Sequence, residues 1–568
     1  MADVAAQKPA KPGWRTVFAS LRQRKTGFML IFGFASGLPY ALLLGTLYAW
    51  LSDAKVDLET MGVFSLIGLA YAFKFLWSPA LDRIDLPVLR KLGKRKQWIV
   101  TAQVLLGVIL VVLSFLDPAS SLGWFSLLAG IGAFASATQD VVIDAWRVDV
   151  ADDKATIEIL STVYQMGYRI AALVGGALAL FLAERMGWPG VYLTMGAVLL
   201  VVGIAGLFAP DVDPAELKRE EAADHGLRET GQITPKIRAI ALTIVGILWG
   251  WALVVVGIFM VRSLTSDPEA RPDSVEFIAT MGPVIVIATV VIPTLIAAWL
   301  VQQQRKGQYL LTRPEPSRSE AGRMLDHLYR ALVLPLTDFV GRLGWAVIIV
   351  FALVLTYRIT DSIWGSFAYP FYLGELHYTK DEVAVASKLF GVGALVLGLA
   401  LGGYLLTVMG RMAALTLGAV LAASTNLLYA DLARGGHVME TASDMTGFSW
   451  LVTQLGGADW MPKLMLAIAG ENIAVGIAGA AFVAYLSSIV AKGYSAVQYA
   501  LLSSLTMLVG TLGRGALGQM IEEQGYYPVF LLTTAMGGVA VILCLVEWGR
   551  VSHMSRKTTQ PGGVGARG

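Results

Sequence analysis

Apolar runs long enough to cross a bilayer recur about fourteen times along this chain, and nothing else in it limits the fold so sharply. They lie near residues 27 to 50, 61 to 81, 97 to 116, 122 to 146, 161 to 184, 189 to 209, 239 to 262, 277 to 301, 344 to 373, 382 to 406, 412 to 430, 463 to 490, 496 to 522 and 526 to 548. A helical span needs about 20 predominantly apolar residues. With 56% hydrophobic and 15% charged residues, and a mean hydropathy of +0.64, a soluble domain of this length is excluded. The expected fold class is an all-α polytopic membrane protein.

Loop charge sets the orientation. With the N-terminal tail placed in the cytoplasm, about 32 Lys and Arg fall in loops on that side and about 7 on the other, the asymmetry of the positive-inside rule. Both termini are therefore expected to be cytoplasmic. The tail, residues 1–26, carries Lys8, Lys11, Arg15, Arg22, Arg24 and Lys25 but no short apolar core with a small-residue cleavage site, so no cleaved signal peptide is expected. The single Cys544 leaves no internal disulfide. The net charge of +3 reflects topology and calls for no nucleic-acid partner.

The chain also repeats itself. Gly176-Ala177-Leu178, Glu184 and Gly187-Trp188 are echoed about 339 residues later by Gly515-Ala516-Leu517, Glu523 and Gly525-Tyr526. Six runs precede residue 209 and six follow residue 344. The expected plan is two six-helix bundles, 27–209 and 344–548, flanking a central insertion, 210–343, that holds the extra pair at 239–262 and 277–301, with a short tail at 549–568. The loop after the second run reads Asp82-Arg83, then Gly93-Lys94-Arg95-Lys96; its counterpart reads Gly403-Tyr404-Leu405, then Gly410-Arg411. Both resemble the loop signature of the major facilitator superfamily, G-x-L-A-D-R-x-G-R-K, although Asp85 to Leu92 split the first copy and Thr407 replaces the acidic residue of the second. The resemblance implies the major facilitator fold. It also implies a gating latch of Asp82, Arg83, Gly93, Lys94, Arg95, Gly403, Gly410 and Arg411, the carboxylate meeting helix N-termini and the bases meeting helix C-termini. For Lys94 to Lys96, a plain positive-inside loop is the competing reading.

Nine ionisable residues lie inside the apolar runs: Lys74, Asp140, Asp144, Arg169, Arg358, Asp361, Lys388, Glu471 and Arg514. Facing lipid, they would cost roughly 20 to 30 kcal/mol in total, so they are expected to face one another or a wet cavity. Numbering the core helices one to twelve, they fall on two, four, five, seven, eight, ten and eleven. In the superfamily the chain resembles, one, four, seven and ten line the cavity, two, five, eight and eleven meet between the halves, and three, six, nine and twelve support from outside. Asp140 and Asp144 are four apart and share one helix face with Gln139 and Ser136 beside it. Two stacked carboxylates in low dielectric cannot both stay ionised cheaply, which is what a proton-coupling site needs. The competing reading is a pair neutralised permanently by Lys74 and Arg169. His225, His327, His377, His437 and His553 all fall in loops, so these carboxylates are the expected proton sites within the membrane.

Phe34-Ala35-Ser36-Gly37-Leu38-Pro39, Phe73-Lys74-Phe75-Leu76-Trp77-Ser78-Pro79, Gln139-Asp140, Glu471-Asn472, Ala481-Phe482-Val483-Ala484 and the run from Ser495 to Ser503 resemble the AmpG-type anhydromuropeptide permeases. The resemblance covers both bundles. It implies proton-driven import of N-acetylglucosaminyl-1,6-anhydro-N-acetylmuramyl peptides from periplasm to cytoplasm across a bacterial inner membrane, for peptidoglycan recycling and the signalling that induces β-lactamase and so antibiotic resistance. Such a ligand has free carboxylates, for which Lys74, Arg169, Arg358, Lys388 and Arg514 offer partners, and sugars suited to Gln139, Asn472, Trp77 and Trp364. Tyr357, Arg358 and Asp361, midway along the seventh helix, form a second cluster, with an internal Arg358 to Asp361 pair as its competing reading, and Glu471 is a further candidate for substrate contact.

No metal-ligand spacing, nucleophile elbow or phosphate-cradling loop occurs, so neither a cofactor nor enzymatic activity is expected. The partners expected are the muropeptide, protons and the lipid bilayer, around a monomer. The inserted pair has no internal charge and is expected to pack outside the core, followed by an amphipathic cytoplasmic segment from Glu320 to Arg342 that Pro335 interrupts. An exporter or symporter of another amphiphilic or anionic solute is the alternative. A sensor would need an output domain longer than the tails supply, and a membrane enzyme would gather its charges near one face.

Overall fold

The computed structural model describes residues 19–56, 66–210, 226–266, 270, 272–316, 319–359, 361, 367–512 and 514–559. Among them, ten helical stretches are long and apolar enough to span a membrane, or eleven if Leu334–Leu343 and Ala346–Thr356, bent by 104° at their junction, count as one broken span. The difference from fourteen has local causes. Core helices five and six run together as Ile157–Gly206, interrupted at Gly187, where a φ of 72° departs from the helix. The expected spans near 61–81, 344–373 and 496–522 each include residues outside the described set.

The remaining core helices are one, Arg24–Asp53; three, Lys96–Leu113; four, Leu122–Val150; eight, Lys380–Met409; nine, Arg411–Leu432; ten, Met461–Ile489; and twelve, Tyr526–Thr559. Core helix two is divided into Leu66–Ala72, a 3-10 turn Lys74–Leu76 and Ser78–Arg83. Core helix eleven is described as Ser495–Leu512 and Arg514–Gln524.

The internal repeat has a backbone counterpart. Gly93 has φ 93° and ψ 163°, three residues before Lys96 opens the next helix, and Gly410 has φ 85° and ψ 164°, directly before Arg411 opens the next one. Gly187 and Gly525, the other matched pair, have φ of 72° and 77°. Only glycine takes such values without strain, so the repeated glycines mark repeated turns.

Between lipid-covered helices there is little hydrophobic drive, and small residues that let backbones approach carry the packing. An added Cβ at Gly37 would stand 2.6 Å from Tyr168 O, and one at Gly398 would strike Ile473 O. Core helix one therefore lies tightly on five, and eight on ten. The first contact delivers Ser36 to the centre of its bundle.

The inserted hairpin, Pro235–Thr265 followed by Ser274–Val286 and Ile292–Arg305, lies outside the core helices but astride their seam. Phe277 stacks on Phe259 at 4.0 Å and meets Phe73 of core helix two at 6.4 Å. Trp249 meets Phe75 at 6.1 Å and donates to Thr289 O at 3.1 Å. The same hairpin packs on core helix eleven. After it come Glu320–Leu332, capped by Ser319, and Leu334–Leu343, with Pro335 in the first turn of the second.

Candidate functional site

Four chain segments meet at one end of the bundle. Lys25 Nζ donates to Val150 O at 2.9 Å, Lys96 Nζ to Ala209 O at 3.2 Å and Arg342 Nη1 to Ile489 O at 2.9 Å, so the start of core helix one and the ends of four, six and ten share what we call the terminal face. Here the halves are tied together. Arg95 is fully buried and donates through Nη2 to Asp82 Oδ1 at 2.6 Å and through Nε to Asp149 Oδ2 at 2.7 Å. Asp82 Oδ2 accepts from the backbone N–H of Val497 at 3.0 Å, in the first turn of core helix eleven. Ser495 Oγ donates to Asp149 Oδ1 at 2.8 Å and accepts from Arg95. A carboxylate thus sits on a helix N-terminus, where the helix dipole favours it. Burial would raise the Asp82 carboxyl, but Arg95 and Lys94 outweigh it and hold the group below its usual value.

The second copy of the loop works differently. Thr407 bonds only its own helix, at Gly403 O, while Arg411 crosses to Glu158 of the other half at 2.5 Å. Gly403 lets core helix eight reach five, since an added Cβ would lie 2.6 Å from Thr162 Cγ2. Arg83 lies over the Tyr494 ring at 5.3 Å and donates to Arg330 O at 3.5 Å. The insertion therefore covers this end: Gln498 Nε2 donates to Pro335 O at 2.8 Å and to Asp338 Oδ2 at 3.0 Å.

Within the first bundle, the charges of core helices two and four are buried and paired. Lys74, held in the 3-10 turn, stands 3.8 Å from Asp140 Oδ2, and Ser36 Oγ donates to Asp140 Oδ1. Asp144 lies 3.0 Å from Arg147 Nη2, close enough for an ion pair, although the N–H is not aimed along the oxygen. The neutralising base for Asp144 is thus Arg147, not Arg169, because one helical turn on the same face is nearer than the next helix. Gln139 is fully buried, donating to Ala35 O at 2.7 Å, with Oε1 lacking a protein partner. Trp77 donates to Thr138 Oγ1 at 3.0 Å and packs on Phe134.

Arg169 looks across the seam. Among the described residues, Arg358 and Asp361 of the opposite half lie near enough for their charges to act on it, and its buried Nε has no hydrogen-bond partner there. Arg358 pairs with Asp361 at 3.3 Å, both partly exposed. Tyr357 instead points into its own bundle, donating to Leu415 O at 2.9 Å and stacking on Phe482. Tyr429 donates to Glu471 and shares a 3.0 Å hydrogen bond with Tyr372. Asn472 bonds Ile468 O at 2.8 Å within its helix. Lys388 is exposed, 5.7 Å from the Tyr369 ring. The side chain of Arg514, and Trp364, lie outside the described residues.

A family model described as Major Facilitator Superfamily matches residues 28–439. The chain belongs to the Major Facilitator Superfamily. Among similar facilitators, the anhydromuropeptide permease of Escherichia coli (strain K12) is 29% identical over 552 residues, covering 95% of this chain and 84% of that protein. The resemblance drawn from the motifs therefore extends over nearly the whole sequence. The solved proton:xylose symporter XylE, 11% identical, superposes with a TM-score of 0.52 over 93% of this chain and 95% of its own. The human organic anion transporter MFSD10, 13% identical, gives 0.51 over 92% and 99%. Both show the facilitator fold for this multi-pass membrane transporter.

Sequence reasoning missed Arg147, Asp149 and Glu158 in this facilitator. Arg147 had a signal, since it stands three and seven residues after the two acids, a helical repeat of one face. Glu158 had none, because its partner Arg411 is 253 residues away.

Proposed function

We propose that this facilitator is a proton-coupled importer of N-acetylglucosaminyl-1,6-anhydro-N-acetylmuramyl peptides, carrying them from periplasm to cytoplasm across a bacterial inner membrane for peptidoglycan recycling and β-lactamase induction. The observation that carries it is that, among the described residues, Arg169 of one half lies near enough to Arg358 of the other for their charges to act on each other, with Asp361 paired to Arg358 at 3.3 Å. Among the described residues that is two cations to one anion, a positive excess suited to the carboxylates of a muropeptide stem. Tyr40 and Tyr168, half-buried and near Arg169, offer rings for the sugars, and Trp77 on core helix two is a further half-buried ring of the same bundle. The anhydromuropeptide permease named above supplies the specific ligand.

Asp140 and Asp144 are the proton-coupling acids in this reading, with Lys74 the internal partner of Asp140. The terminal face is cytoplasmic and closed, and the two bundles, 27–209 and 344–548, rock as a monomer about the seam. Exposure of Lys388 and partial exposure of Arg358, Asp361, Glu471 and Asn472 support a cavity open to the other side. Uptake of labelled anhydromuropeptide into proteoliposomes, with and without an imposed proton gradient, tests the reading. Gradient-stimulated uptake supports it; folded protein that takes up none with either gradient direction sinks it and favours export of another amphiphilic solute.

A further inference from the structure

Asp140, Asp144 and Arg147 occupy positions i, i+4 and i+7 of core helix four and so line one face. Arg147 is fully buried, and it belongs to both halves at once. Its guanidinium lies 4.8 Å from the Tyr164 ring of its own bundle and 4.9 Å from the Tyr499 ring of the other. Its Nε donates to Ser487 Oγ of the other bundle at 3.1 Å. Asp144 completes the shell at 3.0 Å. A flat, delocalised cation held between two rings is a geometry lysine cannot reproduce.

We propose that Arg147 is a positioning residue of the transport cycle, which neutralises Asp144 and, through its clamp between Tyr164 and Tyr499, ties that neutralisation to closure of the terminal face. With Lys74 on Asp140 and Arg147 on Asp144, the cluster holds two acids and two bases. Asp144, 3.0 Å from its base, then needs no proton to be buried, and of the two coupling acids named above Asp140, whose base stands farther off at 3.8 Å, is left as the one whose charge state changes. Opening the terminal face draws Tyr499 and Ser487 away and strips half the shell from a buried guanidinium, which is costly where no water replaces it. The closed face is therefore favoured as long as the Arg147 to Asp144 pair is intact. This deepens the importer reading for its uptake arm; the conformational arm stands without it.

The test places spin labels at Asp153→Cys and Met409→Cys, exposed positions of opposite halves near the terminal face, in a Cys544→Ala background, and measures the distance between them. The background is expected to show a dominant short distance. Arg147→Gln/Asp144→Asn, which removes the charge pair together, is expected to fold, to populate a longer distance in most molecules and to lose at least about tenfold in uptake. Tyr499→Leu and Ser487→Ala, which leave every charge in place, are expected to move the distance the same way, and Arg147→Lys to fall between. Unchanged distances in the folded double variant, or in Tyr499→Leu and Ser487→Ala if the double variant does not fold, overturn the proposal. Absence of uptake in the background itself would count against the importer reading alone, and the distances would still decide the role of Arg147.

Discussion

Lys74 Nζ lies 3.8 Å from Asp140 Oδ2 with both side chains less than a tenth exposed, so each is the other's compensating charge. At that separation two unit charges attract by about 4 kcal/mol at an effective dielectric of 20, and removing one partner strands the other. Asp140→Asn and Lys74→Met are each expected to destabilise the protein by about 3 to 5 kcal/mol, while Lys74→Met/Asp140→Asn regains most of that loss. Gradient-driven uptake is expected to stay absent in all three. Thermal unfolding in detergent and proteoliposome uptake check the two arms, and uptake by Asp140→Asn at the wild-type rate would remove the acid from coupling.

The two cross-half latches differ in strength for a physical reason. Arg95 and its acids are 0 to 2% exposed, whereas Arg411 and Glu158 are 35% and 20% exposed and share their attraction with solvent. Arg411→Ala is expected to cost about 1 kcal/mol or less, and Arg95→Met about 3 to 5 kcal/mol because it leaves Asp82 and Asp149 uncompensated. Unfolding measurements on both variants check the ranking; equal losses would show that solvent screening does not separate them.

How much of this could be read beforehand follows the range of each interaction. The all-helical, multi-span fold was legible because apolar length is a local property, and so were the turns at Gly93 and Gly410, whereas fourteen spans were expected and ten or eleven are found among the described residues. The loop motif around Asp82 is written in neighbouring residues, whereas its contact with the backbone N–H of Val497 is not. The pairing of Asp144 with Arg147 is available from helical periodicity, but the bases that the competing reading sets against the two acids are Lys74 and Arg169, and Arg147 is not among them. Contacts such as Arg411 with Glu158, or Phe277 with Phe73, join residues that only the tertiary fold brings together, and no local pattern encodes them.

The pH response of the terminal latch has a defined sign. The Asp82 carboxyl is held below its ordinary value of 3.8, so its contribution is complete above that value and lost only as pH falls through the still lower native one. Between about pH 5 and 8 Asp82 therefore keeps its charge. Asp82→Asn is therefore expected to lower uptake about tenfold at every pH in that window, leaving the shape of the pH profile unchanged. A profile measured in proteoliposomes at symmetric internal and external salt checks this. A shifted midpoint would mean that Asp82 takes part in proton coupling.

The inserted hairpin is expected to matter for transport despite having no internal charge. Phe277 touches Phe73 directly before the turn that carries Lys74, and each aromatic contact is worth about 0.5 to 1.5 kcal/mol. Phe277→Ala is expected to slow uptake several-fold, and Ile287→Ala, on the exposed side of the same hairpin, serves as the control. Equal rates for the two variants would reduce the hairpin to packing.

Gly403 offers a steric test of closure that involves no charge. Its missing Cβ would lie 2.6 Å from Thr162 Cγ2, an atom of the other half, whereas nothing lies within 4 Å of a Cβ placed at Gly393 on the same helix. Gly403→Ala can be met by a turn of the Thr162 side chain. Gly403→Leu cannot, and it is expected to hold the halves apart at the terminal face while leaving each bundle folded. Lys492, whose Nζ donates across the seam to Asp149 O at 3.3 Å, reports the gap. A cysteine at Lys492, in a Cys544→Ala background, is expected to react with a charged maleimide about tenfold faster in Gly403→Leu than in Gly403→Ala or Gly393→Leu, a bias of about 1.4 kcal/mol toward the open face. Equal labelling in all three would mean that core helices five and eight do not need this close approach to shut the terminal face.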